Sequence, residues 1–571
     1  MAGRSKVFAA LGCLVLVVVG GVLAIIVGVK MTVRRLPSSA VLHVEIAGEI
    51  PERSSEEPWA ELFGPRVVSR QDLRDALVKA RSDKRIKAVR VKIRDCFAGL
   101  ATVQEIREQL QAVAAAGKPT YAYLETAGEG YSGNMAYFLA TGCQKVVLGP
   151  MGDLTLVGLK AEVPFIRGTL DRLGIEPDFP GIGDYKTARN FYIEKDFTPA
   201  HREMTAWLLG SIGRQIAKGI ASSRGLSEAQ AQTLMAQGPY LGPKALELKL
   251  VNAIQDWDSF AEETAKGESG SLEVVGLRRY LRSGRPDSSG TPIAVVVAEG
   301  AIMRGESGFS PVPFFGGDVM GAETMARVFR DVRESDAKAV IFRINSPGGS
   351  AVASEIIRVE MERTAKEKPV VVSMGNVAAS GGYWITCGAQ KVVANPGTIT
   401  ASIGVFAGHL AMARFWEEKL GVTWGELATS PNADLFGSLH PWTPEQRQII
   451  QAWLDRVYDQ FVERVAKARG LSREKVDSMG RGRVFTGEQA LELGLVDRLG
   501  GFDVALEEAR KLAGLGPEDP VELRFYPRKI ELFERILRPD DEEQARTWFS
   551  LLAQGKAALP GPVWLPPIVV R

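Results

Sequence analysis

In the stretch NVAASGGYW, Asn376 to Trp384, a serine lies among small residues where its hydroxyl could attack a carbonyl. The stretch follows the apolar run PVVVSM, which reads as a buried strand, and its glycines lead into a helix. Ser380 then falls near a helix N-terminus, where free backbone N–H groups stabilise developing negative charge. A second glycine turn, INSPGGS, ends another strand, and Gly348 and Gly349 allow conformations that aim an N–H at an oxyanion. A further serine, Ser402, follows in TITASIG. Acyl transfer through a serine nucleophile is the chemistry this combination suits. Either glycine turn alone is more often structural than catalytic.

A serine hydroxyl needs a base. Of the four histidines, His409 and His440 are candidates, but neither sits in a motif that would orient it. A lysine serves if burial lowers its pKa from about 10.4 towards 7, a desolvation cost of order 4–5 kcal/mol. Lys186, in GIGDYKTARNFYIEKDFTPAHREM, follows an aromatic residue and precedes a small hydroxyl residue. It lies in a loop before a helix that begins near Thr198. Spacing alone leaves it one lysine among many.

The elements that must position these residues occur twice. QKVVLGP at Gln144–Pro150 returns as QKVVANP at Gln390–Pro396, and ALELKLV at Ala245–Val251 as ALELGLV at Ala490–Val496. KAVRVKI at Lys87–Ile93 returns as KAVIFRI at Lys338–Ile344. Three matches in one order at nearly one offset imply two copies of a fold of roughly 230 residues. Within each copy, short β-branched runs alternate with helical stretches such as SEIIRVEMERTAKE, so an α/β fold with largely parallel strands is expected. The first copy places Asn134 opposite Ser380, Leu156 opposite Ser402 and Arg94–Ala98 opposite Asn345–Gly349, whereas the second has no lysine in the stretch matching Lys186. Residues that the fold needed would stand in both copies. Their one-sided survival marks a site.

Together, NSPGGS, NVAASGGYW, TITASIG, GDYKTA and GLVDRLGGFDVAL resemble the long, duplicated form of the signal peptide peptidase A (protease IV) family. The resemblance runs from about Val41 to Leu512 and implies a tandem Clp protease/crotonase-like fold with a Ser/Lys dyad that hydrolyses peptide bonds. It implies Ser380 as nucleophile, Lys186 as general base and Ser402 as the residue that orients the lysine. Gly381 and Gly349, or Gly348, would form the oxyanion hole, with lysine and serine coming from different copies. No cofactor and no metal are implied; signal peptides and other short hydrophobic peptides are the implied substrates, and a homotetramer the implied assembly. Asn376 and Val377 stand where glycine and methionine are expected, a difference of packing rather than chemistry. His409, in GHLAMARF, is a candidate substrate contact.

The rest of the chain bounds this reading. At 571 residues, 45% hydrophobic and with a formal charge of +2, it buries a substantial core and gives no reason to expect a nucleic acid partner. Four cysteines are too few for a disulfide framework and lack metal-ligand spacing. An uncharged run from Val7 to Val29 would span about 35 Å as a helix, enough to cross a bilayer. We read it as an uncleaved anchor, since a signal peptide's apolar region is usually about 7–15 residues and ALGC at Cys13 fits a lipoprotein site poorly. Basic residues flank both ends, so the extracytoplasmic placement of the catalytic part at the inner membrane rests on the resemblance.

The expected organisation is an anchor and linker over 1–40, a degenerate first repeat over 41–281, a linker over 282–292, a second repeat over 293–514 and a tail over 515–571. Two rivals share some of these features. A crotonase-type acyl-CoA lyase or hydratase would carry a glutamate beside its glycine turns. An inactive membrane scaffold would have lost Ser380, Lys186 and Ser402.

Overall fold

A computed structural model of the chain describes residues 36–53, 67–267, 270–310, 317–527 and 569–570. Its mixed α/β architecture is built on two sheets. The first runs Glu273–Gly276, Ala40–Gly48, Ile86–Cys96, Thr120–Leu124, Lys145–Leu148, Ala253–Ile254, with every pairing parallel. Successive residues such as Val41 and Leu42 are both fully buried, the signature of a parallel sheet covered on both faces.

The second sheet runs Val484–Thr486, Ile399–Ala401, Val370–Ala379, Ala339–Ser346, Thr291–Glu299, Val521–Tyr526. Its central strand forks. Val371–Ser373 pair with Lys391–Val393, while Val377–Ala379 diverge to pair with Ile399–Ala401. Ser380 is the next residue. The matching fork in the first half has shrunk to the isolated bridges Ala127–Leu154 and Leu154–Tyr240.

Duplication is visible in the helices too. Pro199–Arg224 and Pro444–Arg469 are each 26 residues long, begin with proline after a threonine N-cap and end on a left-handed glycine, Gly225 or Gly470. Thr198 Oγ1 accepts from the His201 amide and Thr443 Oγ1 from the Gln446 amide, so each helix satisfies one of its exposed donors in the same way.

Two boundaries differ from expectation. Val521–Tyr526, expected in the tail, is an edge strand parallel to Thr291–Glu299, as Glu273–Gly276 is to Ala40–Gly48. The prolines at 517, 520 and 527 hide so short a strand from a composition-based reading. Thr291 and Pro292, read as linker, already belong to a strand; Pro292, lacking an N–H, contributes its carbonyl to the Lys338 amide. The apolar run from Val7 to Val29 lies outside the described residues, among which no helix is long and apolar enough to cross a membrane.

The halves are joined by polar contacts. Asn376 Oδ1 accepts from the Thr102 amide at 3.0 Å and its Nδ2 donates to Thr102 Oγ1 at 2.9 Å. A Cβ at Gly99 would lie 2.4 Å from Asn376 Oδ1, so the helix Leu100–Ala115 starts on a glycine that lets the second half approach. Gln104 Oε1 accepts from the Gly397 amide. Arg343 of the second half is buried against Glu52 and Glu105 of the first. Two short antiparallel pairs complete the join: Gly181–Ile182 with Val405–Phe406, and Glu176–Asp178 with His409–Ala411.

Candidate active site

The join brings residues from both halves into one buried cluster. Lys186 Nζ lies 3.0 Å from Ser380 Oγ, 3.0 Å from Ser402 Oγ and 3.2 Å from the Ser402 carbonyl oxygen. All three residues are buried. Desolvation lowers the Lys186 pKa to about 7, and no neighbouring carboxylate offsets it. In its neutral form the amine has two N–H donors, which fit the two Ser402 oxygens. Its lone pair is then left facing the Ser380 hydroxyl.

Ser380 caps the short helix Gly381–Trp384 at φ 54°, ψ −121°, a conformation L-residues rarely adopt. Its amide donates to the Ala401 carbonyl at 2.7 Å. Ala401 at φ 66° and Ser402 at φ 53° share the positive-φ region, as does Arg481 at φ 53°. Four of the six positive-φ non-glycine residues described thus lie on the segments that meet at Lys186, the kind of clustering that strained functional sites show.

The glycine turns meet beside Ser380. A Cβ on Gly381 would lie 3.1 Å from the Gly349 nitrogen, and one on Gly348 would lie 2.6 Å from the Gly381 nitrogen. Gly348 and Gly349 have φ of 99° and 155°, and Gly349 is also pinned against the Ile302 backbone, 2.1 Å from where its Cβ would sit. The Gly348 amide donates to Ser346 Oγ at 3.2 Å, whereas the Gly349 and Gly381 amides have no acceptor among the described residues. Both are available for a substrate oxygen.

The sequence model of peptidase family S49 matches residues 112–270 and 362–516, more than half of the chain. "Protease 4" of Salmonella typhi is 34% identical over 461 residues, covering 78% of this chain and 72% of that protein. "Protease 4" of Haemophilus influenzae is 30% identical over 557 residues, covering 91% and 87%. "Serine protease SPPA, chloroplastic" of Arabidopsis thaliana is 29% identical over 497 residues, covering 84% and 70%. The chain belongs to peptidase family S49. It is a serine-type peptidase, which bears out the resemblance to signal peptide peptidase A and sets aside the crotonase-type and inactive-scaffold alternatives.

In this S49 peptidase the lysine is held by a loop that sequence reasoning missed. The Gly482 amide donates to the Ile403 carbonyl at 2.7 Å, the Ser402 amide to the Arg483 carbonyl at 3.0 Å and the Tyr185 amide to the Arg481 carbonyl at 3.1 Å. The Arg483 guanidinium lies 3.8 Å from the centroid of the Tyr185 ring, and both side chains bond Glu203. Gly482 has φ 88°, and a Cβ there would sit 2.3 Å from the Lys186 nitrogen. Comparing the repeats could have found it: Gly482 stands opposite Gln237 when ALELGLV is laid on ALELKLV. Gly482→Ala should displace the lysine backbone and lower kcat/KM about 100-fold, since shifts near 1 Å at a catalytic group cost about that much. Steady-state kinetics on a peptide substrate check this; a variant within about threefold of wild type would show that the loop does not set the lysine's position.

The histidines are engaged elsewhere. His409 Nδ1 lies 3.0 Å from the Gly437 carbonyl and its ring stacks on Trp442 at 4.4 Å, while His440 Nε2 lies 2.6 Å from Glu426. In the first half, Asn134 Oδ1 accepts from the Val157 amide where the second half has Ser380. Among the described residues no cluster of His, Cys, Asp or Glu could hold a metal ion.

Proposed function

We propose that this chain is a membrane-anchored serine endopeptidase working through a Ser380/Lys186 dyad on cleaved signal peptides and other short hydrophobic segments. Ser380 Oγ attacks the peptide carbonyl as Lys186 takes its proton, and the resulting ammonium protonates the leaving amine. Ser402 holds Lys186 through its hydroxyl and carbonyl. The amides of Gly381 and Gly349 receive the oxyanion; Gly348, already bonded to Ser346, is the lesser candidate. One observation carries the reading: an amine and a serine hydroxyl 3.0 Å apart, both buried, with desolvation lowering the lysine's pKa.

The substrate class is supported by the name of a relative, "Putative signal peptide peptidase SppA" of Enterococcus faecium, 36% identical over 184 residues. The run from Val7 to Val29 anchors the chain in the inner membrane with its catalytic part on the extracytoplasmic side. Each repeat carries a Clp protease/crotonase-like fold, and four chains assemble into a bowl. The test is turnover of a fluorogenic apolar peptide by the full chain in detergent. Ser380→Ala should lower turnover by about 10⁴-fold or more while the fold persists. Turnover that survives this change, or that depends on His409, would remove the dyad.

A further inference from the structure

Arg483 reaches the lysine by two routes, one through its main chain and one through its side chain. Its carbonyl accepts from the Ser402 amide at 3.0 Å, and Ser402 in turn holds the Lys186 amine. Its guanidinium lies 3.8 Å from the centroid of the Tyr185 ring and 5.5 Å from that of Trp207. Tyr185 is the residue before Lys186. Glu203 joins the two side chains, its carboxylate accepting from Arg483 Nη2 and from the Tyr185 hydroxyl, each at 2.8 Å. An exposed ion pair is usually worth little, but the Arg483 side chain is only 18% exposed, against 58% for Glu203. Two aromatic rings flank it, and a planar guanidinium suits such faces where an ammonium does not. Beneath the contact, Met204, Leu208 and Val484 form a buried apolar cluster against which Tyr185 packs.

The repeats differ here as they do at Ser380. Laying ALELGLV on ALELKLV sets Arg483 opposite Gly238. Laying the helix Pro444–Arg469 on Pro199–Arg224 sets Gln448 opposite Glu203 and Ala452 opposite Trp207. A device that the fold itself needs stands in both copies: Tyr137 Oη donates to the Leu250 carbonyl at 2.7 Å and Tyr383 Oη to the Leu495 carbonyl at 2.8 Å. The arginine contact exists only where there is a lysine to hold. We propose that Arg483 is a positioning residue: its side chain locks Tyr185 and its main chain locks Ser402, so one residue of the second half fixes both supports of the Lys186 amine. It acts through these neighbours and touches neither the amine nor the nucleophile. Opening the contact frees the segment that carries Lys186, admits water and favours the charged amine. The inference rests on the dyad proposed above and adds what keeps its base in place.

The test is steady-state kinetics of the full chain in detergent on the fluorogenic apolar peptide, from about pH 6 to 10, with circular dichroism to follow the fold. Arg483→Met keeps the apolar stem and removes the planar cation. It should lower kcat by roughly 10- to 100-fold with KM within about threefold. The acid limb of kcat/KM, near pH 7 in the wild type, should move up by about one unit. Glu203 does not titrate there, because its bonds to Tyr185 and Arg483 lower its pKa, and Tyr185 does not, because its bond to Glu203 raises its own. Tyr185→Leu should reproduce both effects, while Tyr185→Phe, which keeps the ring face, should lose far less. That pair decides the matter even if Arg483→Met fails to fold. Turnover that survives Lys186→Met overturns the dyad and this inference together. With Lys186 required, a loss that falls on KM, or an acid limb that stays in place in the folded variants, makes Arg483 a structural latch and overturns the inference alone. Tyr185→Phe as impaired as Tyr185→Leu moves the effect to the hydroxyl and likewise overturns it.

Discussion

Replacing Lys186 with methionine should lower kcat/KM on a peptide substrate by about 10³-fold or more and yet stabilise the fold at neutral pH. The two effects have one cause. Burial holds the lysine's pKa near 7 against an ordinary value of 10.5, so the folded state binds that proton less readily than the unfolded chain. Between those values the unfolded state carries more protons, and stability rises with pH. At pH 7 and below, the penalty is fully present, on the order of 4–5 kcal/mol. Methionine fills the same slot beside Gly404 and Gly482 with no charge to desolvate, so thermal melts of the variant from pH 7 to 10 should lack this lysine-linked rise. In the wild type, kcat/KM should rise through pH 7 as the base deprotonates. An active variant would show that the amine is not the base, and a melting temperature that follows pH as the wild type's does would show that it is not the buried charge.

What the sequence made legible was the chemistry that one repeat kept and the other lost. Ser380, Ser402 and Gly348–Gly349 stand out because the first half replaces them, and the structure brings Ser380 and Ser402 to the same amine. Lys186 is different in kind. Nothing local distinguishes it, because its burial comes from Gly404 and Gly482, more than 200 residues away along the chain. Resemblance selected it where spacing could not. Asn376, read as a packing difference, turns out to be a directional one: it bonds Thr102 and helps fix one half against the other. The strand Val521–Tyr526 stayed hidden because an edge strand of six residues between prolines leaves no period long enough to count.

Because Ser380 and Lys186, the proposed nucleophile and base, reside in different halves, the contacts between the halves position the proposed dyad, and Arg343 is the most exacting of them. It is 1% exposed and its guanidinium meets Glu52 at 2.8 and 3.0 Å, Glu105 at 2.8 Å, Ser373 Oγ at 3.0 Å and the Met374 carbonyl at 3.2 Å. Arg70 bonds the same two carboxylates from the first half, which makes a neutral square of two arginines and two glutamates. Arg343→Met leaves two buried carboxylates sharing one cation and should cost about 3–5 kcal/mol in chemical denaturation at pH 7, far more than the pair is worth against an apolar replacement of both partners. The cost should depend on pH with a definite sign. The arginines now hold the Glu52 pKa well below the usual carboxylate range. Without Arg343 much of that lowering is lost, so the variant's deficit is small at acid pH and grows as pH climbs towards neutrality. Adding Glu52→Gln should return part of the loss at pH 7, because the amide needs no countercharge. Activity should fall about 100-fold in the single variant as the halves loosen and lysine and serine drift apart. A deficit below about 1 kcal/mol, or a double variant weaker than the single one, would mean that the square is not what keeps the halves in register.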